Sequence, residues 1–486
     1  MLQHCANTSR LVNLVMLFAL LTGLAAGKVC ADTPEADVLI IGAGLSGLSS
    51  GYYLKKAGKT VHILEMSARL GGRIRTAAYD NYTYAEVGLE EFWESNPAIE
   101  ILHDLNVPLE TAYHGFSSFY YQGRLYAAIQ ENNQAFLKTF LTPTELQTYR
   151  RWDANMHFLH QQLARRPISP ELMALKDQSF ADWLAETSGL SAKAREFVRI
   201  QTEPEFGGSW QQISALDAIA EWDFFSGEGQ TPYHVVGGNQ LAVAKIADFI
   251  GKDSVQLNQL VTHVKSDADG VEVLTIDQTT YQQHVYRAKY LISAIPLYKL
   301  NEIQFEPPLS LARKQAIQTQ SGGAYFTAHI LLDAQASRYW IQNGQSLLPI
   351  LSDSVLGVIY AGKTQSNQQV LLNLLITGAN AEQFNTRITT LDDIKAILLT
   401  AFEKQWPGFG QYLKQMFFYR YHPRAIAAWP VGRSRFDELS DSLRQPQGRI
   451  YFGGDFSEDT HSNGATVSAQ RVVKAILQQE SQAEQK

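Results

Sequence analysis

Apolar and polar residues change their period several times along the chain, and each change marks an element. Val38-Leu39-Ile40-Ile41 is an unbroken apolar run between Asp37 and Gly42, the pattern of a strand buried on both faces. Leu45 to Ala57 can form a helix, with Gly58 as its stop, and Val61-His62-Ile63-Leu64 predicts a second strand. Strand, glycine turn, helix and strand in that order form a βαβ unit, so the expected fold class is α/β, with a parallel sheet and helices on its faces.

The texture changes between about residues 130 and 225. Ala135-Phe136-Thr139-Phe140, Trp183-Leu184 and Ala192 to Val198 space their apolar residues as helices do, which predicts a helical insertion. Strand patterns then return. Val261 to Val264 and Val271 to Leu274 flank the Asp269-Gly270 turn and read as a hairpin, and Leu291 to Ile295 is a buried strand stopped by Pro296. Ala324 to Leu332, Ile350 to Ser352, Val358 to Tyr360 and Val370 to Ile376 predict a mostly antiparallel sheet, followed by a helix near Leu391 to Gln405. Ile450-Tyr451-Phe452, a glycine turn and a helix from Gly464 to Gln478 repeat the opening pattern. A chain that leaves a nucleotide-type sheet and returns to it predicts two interleaved domains. One takes residues 35–110, 232–300 and 426–480; the other, substrate-binding, takes 111–231 and 301–425.

The N-terminal pattern is of another kind. Arg10 precedes an apolar run from Leu11 to Ala26, and Val29-Cys30-Ala31 offers modest side chains for a signal peptidase, so residues 1–31 read as an export signal with a mature start at Asp32. The run is short for a membrane span, which needs about 20 residues, so the mature chain is expected to be periplasmic or secreted, an uncleaved anchor being the alternative. Cleavage removes both cysteines, Cys5 and Cys30. A mature chain without cysteine excludes disulfides, thiolate metal sites and thioether-linked cofactors. Cleavage also removes Arg10 and Lys28, taking Lys and Arg from 41 to 39 against 48 acids. That balance argues against nucleic acid and anionic membranes as partners and mildly favours cationic small molecules.

Gly42-Ala43-Gly44-Leu45-Ser46-Gly47 lies between strand and helix, where a dinucleotide pyrophosphate can rest on the helix N-terminus. Gly42 would allow the tight turn, Gly44 the close approach of backbone to phosphate, and Gly47 the packing of helix on strand. Glu65, closing the second strand, can accept from ribose hydroxyls. The next segment, Glu65-Met66-Ser67-Ala68-Arg69-Leu70-Gly71-Gly72-Arg73-Ile74-Arg75-Thr76, places two glycines and a fixed cation where a pyrophosphate would lie.

That segment resembles the E-x-x-x-R-x-G-G-R-x-x-T signature of the flavin-containing amine oxidase superfamily, whose relatives include monoamine and polyamine oxidases, protoporphyrinogen oxidases and carotenoid desaturases. The resemblance spans nearly the whole mature chain and implies a two-domain FAD-binding fold with a sheet-and-helix substrate domain. Glu86-Val87-Gly88 falls where these families set an acid or polar residue and a glycine beside the flavin. Gly237-Gly238-Asn239-Gln240-Leu241 and Val261 resemble the second dinucleotide segment, with Val261 against adenine. Ile292 to Pro296 and Phe305-Glu306-Pro307-Pro308-Leu309 are similar to further landmarks. Arg449-Ile450-Tyr451-Phe452-Gly453-Gly454-Asp455 resembles the family's late strand and turn, which implies Gly454 at the cofactor and Asp455 on the ribityl chain. Gly464 and Ala465 would then open a helix whose positive end faces the flavin pyrimidine oxygen.

The departures bear on chemistry. Monoamine oxidases tether flavin through a cysteine, which the mature chain lacks, so FAD is expected to be held noncovalently. The family lysine that holds a water at the flavin N5 aligns with Thr327 by counting from Pro308-Leu309. Of the two cage tyrosines, one corresponds to His461, three residues before Gly464, and Trp429 is the nearest aromatic on the other side. Trp429 could equally be a core residue, and His461 a hydrogen-bonded loop residue. Leu89-Glu90-Glu91-Phe92-Trp93-Glu94 follows Gly88, and Glu90 is the candidate carboxylate for drawing a cationic amine to the flavin; solvated acids are the alternative.

Amine oxidation by hydride transfer to flavin, with oxygen as acceptor and peroxide as product, is the implied reaction. Two alternatives stand beside it. One is a dehydrogenase or desaturase of a larger apolar substrate, which the aromatic stretch Phe116 to Tyr121 would suit; the other is a non-catalytic FAD-binding protein. No arginine marks itself as a carboxylate clamp, which ranks amino acids below amines. The scattered histidines lack metal-ligand spacing, and the sequence leaves the oligomeric state open.

Overall fold

The computed structural model describes residues 36–79, 83–112, 118–127, 136–222, 231–364, 366–388 and 390–484. The expected export signal, both cysteines, Ala135 and the Phe116-Ser117 end of the aromatic stretch lie outside the described residues. Among those described, no helix is long and apolar enough to cross a membrane.

Three distant stretches of chain build one sheet. Its strands run in the order Val255–Gln256, Val61–Leu64, Ala36–Ile41, Gln283–Ser293, Val271–Asp277, Gln259–Ser266 and Gln304–Glu306, with Ile450–Phe452 also paired to Gln283–Ser293. Gln283–Ser293 is the hub. Ala36–Ile41 runs parallel along one edge, and the other edge pairs first with the antiparallel strand Val271–Asp277 and then with parallel Ile450–Phe452. Val38, Ile40, Ile63 and Ile292 are wholly buried, which explains why these strands read as continuous apolar runs. Leu45–Lys56 and His461–Glu484 pack on this sheet and on each other, burying Leu48 and Leu54 with Val472 and Ile476. Gln304–Glu306 joins the same sheet, and Leu311–Thr319 packs nearby, its Ala316 and Ile317 in a core with Phe452. After residue 301 the chain therefore returns to the second sheet only at Ser321.

That second sheet runs Leu413–Ala428, Ser321–Asp333, Gln369–Thr377, Val358–Ala361, Ile350–Ser352, Ser118–Tyr121 and Arg124–Tyr126. Its pairings are antiparallel except between Ile350–Ser352 and Ser118–Tyr121. Strict alternation sorts its faces. Phe326, Ala328, Ile330 and Leu332 point into an apolar core closed by Leu391–Gln405 through Ile394, Leu398 and Phe402. Tyr325, Thr327 and His329 therefore point the other way, Tyr325 reaching the Pro204 carbonyl of the helical insertion.

Short helices between residues 137 and 220 form the insertion, capped where the sequence supplies acceptors: Thr142 and Glu145 make a reciprocal capping box, and Ser179, Ser191 and Ser214 accept from their first turns. Each such cap is worth about 1 kcal/mol. Their core is aromatic, with Phe119, Phe140, Phe197, Trp152 and Trp222 packed mainly edge to face.

Candidate active site

The glycines after the first strand fall into two kinds. A Cβ on Gly42 would lie 2.9 Å from the Ala294 carbonyl oxygen, and its φ is +101°. A Cβ on Gly47 would lie 1.9 Å from the Gly42 carbonyl oxygen, so helix and turn can approach only without a side chain. Gly88, whose Cβ would sit 2.0 Å from the Arg73 carbonyl oxygen, and Gly464, 1.7 Å from that of Asp459, are likewise demanded by the backbone around them. Gly44 differs: a Cβ there meets nothing within 4 Å, and its φ of −78° suits any residue. The protein itself has no need of glycine at Gly44, which opens on the cavity, so the space is left for something outside the chain.

Glu65 is held ready beside that space. Its Oε2 accepts from the Ala43 amide at 2.8 Å, and its Oε1 accepts from the amide and hydroxyl of Ser67 at 2.8 and 2.7 Å. Arg69 turns back on its own loop, donating to the carbonyls of Leu70, Gly72 and Ile74. It thereby shapes the Gly71-Gly72 turn, in which both glycines have positive φ. Arg73 and Asp455, assigned separate tasks by the sequence, meet as a bidentate pair at 2.6 and 2.7 Å; Arg73 also donates to the Ala425 carbonyl, and Asp455 accepts from the Ala427 amide. Burial would raise the Asp455 carboxyl, but the guanidinium outweighs it and holds the group below its usual range.

These groups line one cavity of about 1950 Å³ that includes Gly42, Gly44, Leu45, Ser46, Gly71 and Gly72 on one side and Val261, Gly454, Asp455, His461 and Ala465 further along. A small-molecule site typically takes about 300–1,000 Å³, so there is room for an extended dinucleotide and a substrate together. The end of Leu45–Lys56, without an acid in its first turn or a side-chain cap, turns unpaired N–H groups and the positive end of its dipole into it.

The opposite wall is the second sheet. Val358, Leu375, Thr327 and Tyr419 stand side by side on four neighbouring strands, and all four line the cavity. Thr327 therefore does face the space beside the nucleotide cradle. One row away, Tyr360, Asn373, His329 and Phe417 are in register. His329 Nδ1 lies 2.7 Å from Asn373 Oδ1, and its Nε2 lies 3.3 Å from Thr327 Oγ1. Burial pushes the imidazole down to about 4.

Glu90 lies in this space, accepting from the Tyr360 hydroxyl at 3.1 Å. Burial, with Glu86 and Glu91 close by, pushes its carboxyl well above the ordinary range. Burial also lifts Glu86 to about 7, although it accepts from the Asn239 amide and from Thr76. His461 opens its helix in a left-handed conformation, φ +64°, and lines the cavity, burial holding its imidazole at about 4.

Trp429 is a correction. Its side chain is wholly buried outside the cavity, donating to Ser440 Oγ at 3.1 Å and lying under the Arg435 guanidinium at 4.6 Å. Strand alternation and the shift in register near the end of Leu413–Ala428 carry Ala425 and Ile426, not Trp429, to the wall. Sequence reasoning also missed a buried cluster beneath His461. Arg435 binds Asp217 at 2.8 Å, Asp459 at 2.5 Å and also Glu221, whose carboxyl burial pushes far up. Its members come from three segments, Asp217 and Glu221 lying one turn apart on one helix and its C-cap, and only a strongly charged residue in an otherwise apolar neighbourhood could have hinted at it. No group of three His, Cys, Asp or Glu among the described residues could hold a metal ion.

A two-part cavity with a dinucleotide cradle on one side and a mixed sheet on the other is the form of a dinucleotide-dependent enzyme. The chain belongs to the flavin-containing amine oxidoreductase family, whose profile matches residues 45–477. It is 22% identical to an L-amino-acid oxidase of Sistrurus catenatus edwardsii over 90% of this chain and 86% of that one. It is 21% identical to a probable flavin-containing monoamine oxidase A of Dictyostelium discoideum over 90% and 97%. Among solved structures, putrescine oxidase bound to putrescine superposes with a TM-score of 0.78 at 23% identity, covering 92% of this chain and 100% of that one. Cyclohexylamine oxidase from Brevibacterium oxydans gives 0.77 at 22%, with the same coverage. The cofactor is FAD, and the open space at Gly44 beside an oriented Glu65 fits a dinucleotide.

Proposed function

We propose that this FAD-dependent enzyme oxidises a small primary amine and passes the electrons to oxygen. Bound FAD supplies the acceptor for a hydride equivalent from the carbon next to nitrogen, leaving an imine for water to hydrolyse, and oxygen then takes two electrons and two protons to become peroxide. The chain's own residues do the rest. Glu65 would hold ribose hydroxyls, and the N–H groups at Gly44 to Ser46 would carry the pyrophosphate. Because Arg73 and Asp455 neutralise each other, their joint contribution is shape and hydrogen bonding more than net charge. With no cysteine after Cys30, no thioether tethers the flavin, and these contacts are what hold it.

The observation that carries the substrate reading is Glu90, a carboxyl inside the cavity with Glu86 and Glu91 near it. An arriving ammonium would favour its ionised form and be held by it. Glu90→Gln should raise KM for amines about tenfold or more while leaving FAD content unchanged. Oxygen uptake matched by peroxide, one for one with amine consumed, tests the acceptor; amine consumption that requires an added dye would refute it. Oxidation of an amino acid is the second reading, favoured by Arg150, which lines the same cavity, and by the relatives named L-amino-acid oxidase. Export rests on the pattern of residues 1–31, and mass spectrometry of the mature N-terminus, expected at Asp32, tests it.

A further inference from the structure

The cavity face of the second sheet carries buried polar side chains on the strands whose other face packs Phe326, Ala328, Ile330, Leu372 and Leu374 into the apolar core. His329 and Asn373 are both almost completely excluded from water, directly paired across two strands, and Tyr79, stacked on Phe417 at 4.0 Å, lies 6.0 Å from the imidazole. Thr327, two residues along the same strand and in the neighbouring row, lines the cavity.

We propose that His329 and Asn373 hold the Thr327 hydroxyl as a hydrogen-bond acceptor toward the cavity, where it receives an N–H of the bound substrate. This rests on the amine-oxidising reading above. The inference follows from counting protons. A neutral imidazole has one N–H, and the Asn373 Oδ1 at 2.7 Å can only accept, so the hydrogen sits on Nδ1. Nε2 is then an acceptor, and the Thr327 hydroxyl at 3.3 Å must donate to it. With its one hydrogen committed inward, Thr327 presents lone pairs alone to the cavity. The strong downward displacement of His329 by burial agrees with a neutral ring at physiological pH. Thr327 is thus a specificity-determining residue, and His329 and Asn373 are positioning residues acting through it.

The test needs no turnover. tert-Butylammonium and tetramethylammonium have nearly the same size and the same charge, but only the first has N–H groups; neither turns over, because the first has no hydrogen on the carbon beside nitrogen and the second has no nitrogen lone pair. Calorimetric titration of the FAD-loaded protein should show tert-butylammonium bound about tenfold or more tighter, the difference expected of one hydrogen bond from a charged donor. Thr327→Val should abolish that preference and Thr327→Ser should retain it. Asn373→Asp should favour the imidazolium, turn the Thr327 hydrogen toward the cavity and remove or reverse the preference. Nitrogen NMR of the wild-type holoenzyme should show His329 as the Nδ1–H tautomer. An unchanged preference in Thr327→Val, no preference in wild type, or an Nε2–H tautomer overturns the proposal. Failure of every amine to reduce the flavin would instead overturn the amine-oxidising reading, so the two failures are distinguishable.

Discussion

On the nucleotide side of the cavity, Gly42, Gly47 and Gly88 are required by carbonyl oxygens of the same chain, and Arg69, Arg73 and Glu65 are held by neighbours a few residues away or by one partner turn. On the sheet side, Thr327, His329, Asn373 and Tyr360 come together because strands far apart in sequence align in register, and Glu90 reaches them from the loop after Thr83–Glu86. The first wall is written as local motif and is rigidly over-determined by backbone contact. The second is written as cross-strand register, and a change of one side chain there alters chemistry without disturbing the turn that carries it.

The sharpest way to break this contrast is within the glycines. Gly47→Ala puts a methyl 1.9 Å from a backbone oxygen that cannot retreat, so FAD-loaded protein should be lost altogether, as size-exclusion and flavin absorbance would show. Gly44→Ala meets no protein atom within 4 Å, so it should fold normally and lose FAD affinity by about tenfold or more. If both variants fold and bind alike, the distinction between chain-required and ligand-required glycine is wrong.

Arg73→Ala comes next. It leaves the buried Asp455 carboxylate without its partner, and uncompensated buried charge typically costs about 3–5 kcal/mol, measurable by denaturant titration of the purified protein. A loss near zero would mean that the pair is not the keystone between the two walls.

On the sheet side the corresponding lever is pH. His329 is about 4 in the fold against 6.5 for an ordinary histidine, so as pH falls below 6.5 the unfolded chain takes up a proton that the native ring refuses. Its contribution is complete above pH 6.5 and is lost progressively down to about 4, amounting to about 3 kcal/mol. Comparing the pH dependence of unfolding free energy in wild type and His329→Gln isolates this slope; identical slopes would place His329 in water. Trp429→Phe is the smallest change expected. It removes one indole hydrogen bond in the core and should cost about 1 kcal/mol, with KM for amines unchanged, whereas a wall residue would shift KM.

What could be read in advance follows the same division. The βαβ opening, the hairpin around Asp269-Gly270, the helix near Leu391 to Gln405 and the return at Ile450 were legible because buried parallel strands are uniformly apolar and turns carry glycine. Glu65, the glycine turns and His461 were found by spacing along one segment. Thr327 was reached by counting within a strand. Its partners His329 and Asn373 were not, because nothing local marks which of many polar residues in apolar strands will lie side by side. Trp429 was misplaced for a related reason: motif position located the strand end, but a register shift decided which of Ala425 to Trp429 faced inward. The cluster of Arg435, Asp459 and the helical pair Asp217 and Glu221 joins three segments far apart in sequence.

Whether an amine is the reductant is tested most directly by anaerobic titration of the purified, FAD-loaded protein with a panel of primary amines, diamines and amino acids, following the oxidised flavin band. At least one amine should bleach the flavin completely at one equivalent, and Glu90→Gln should reach the same end point more slowly at a given amine concentration. A flavin that stays oxidised with every amine, while an amino acid or an apolar ring compound reduces it, would contradict amine oxidation as the function of this site.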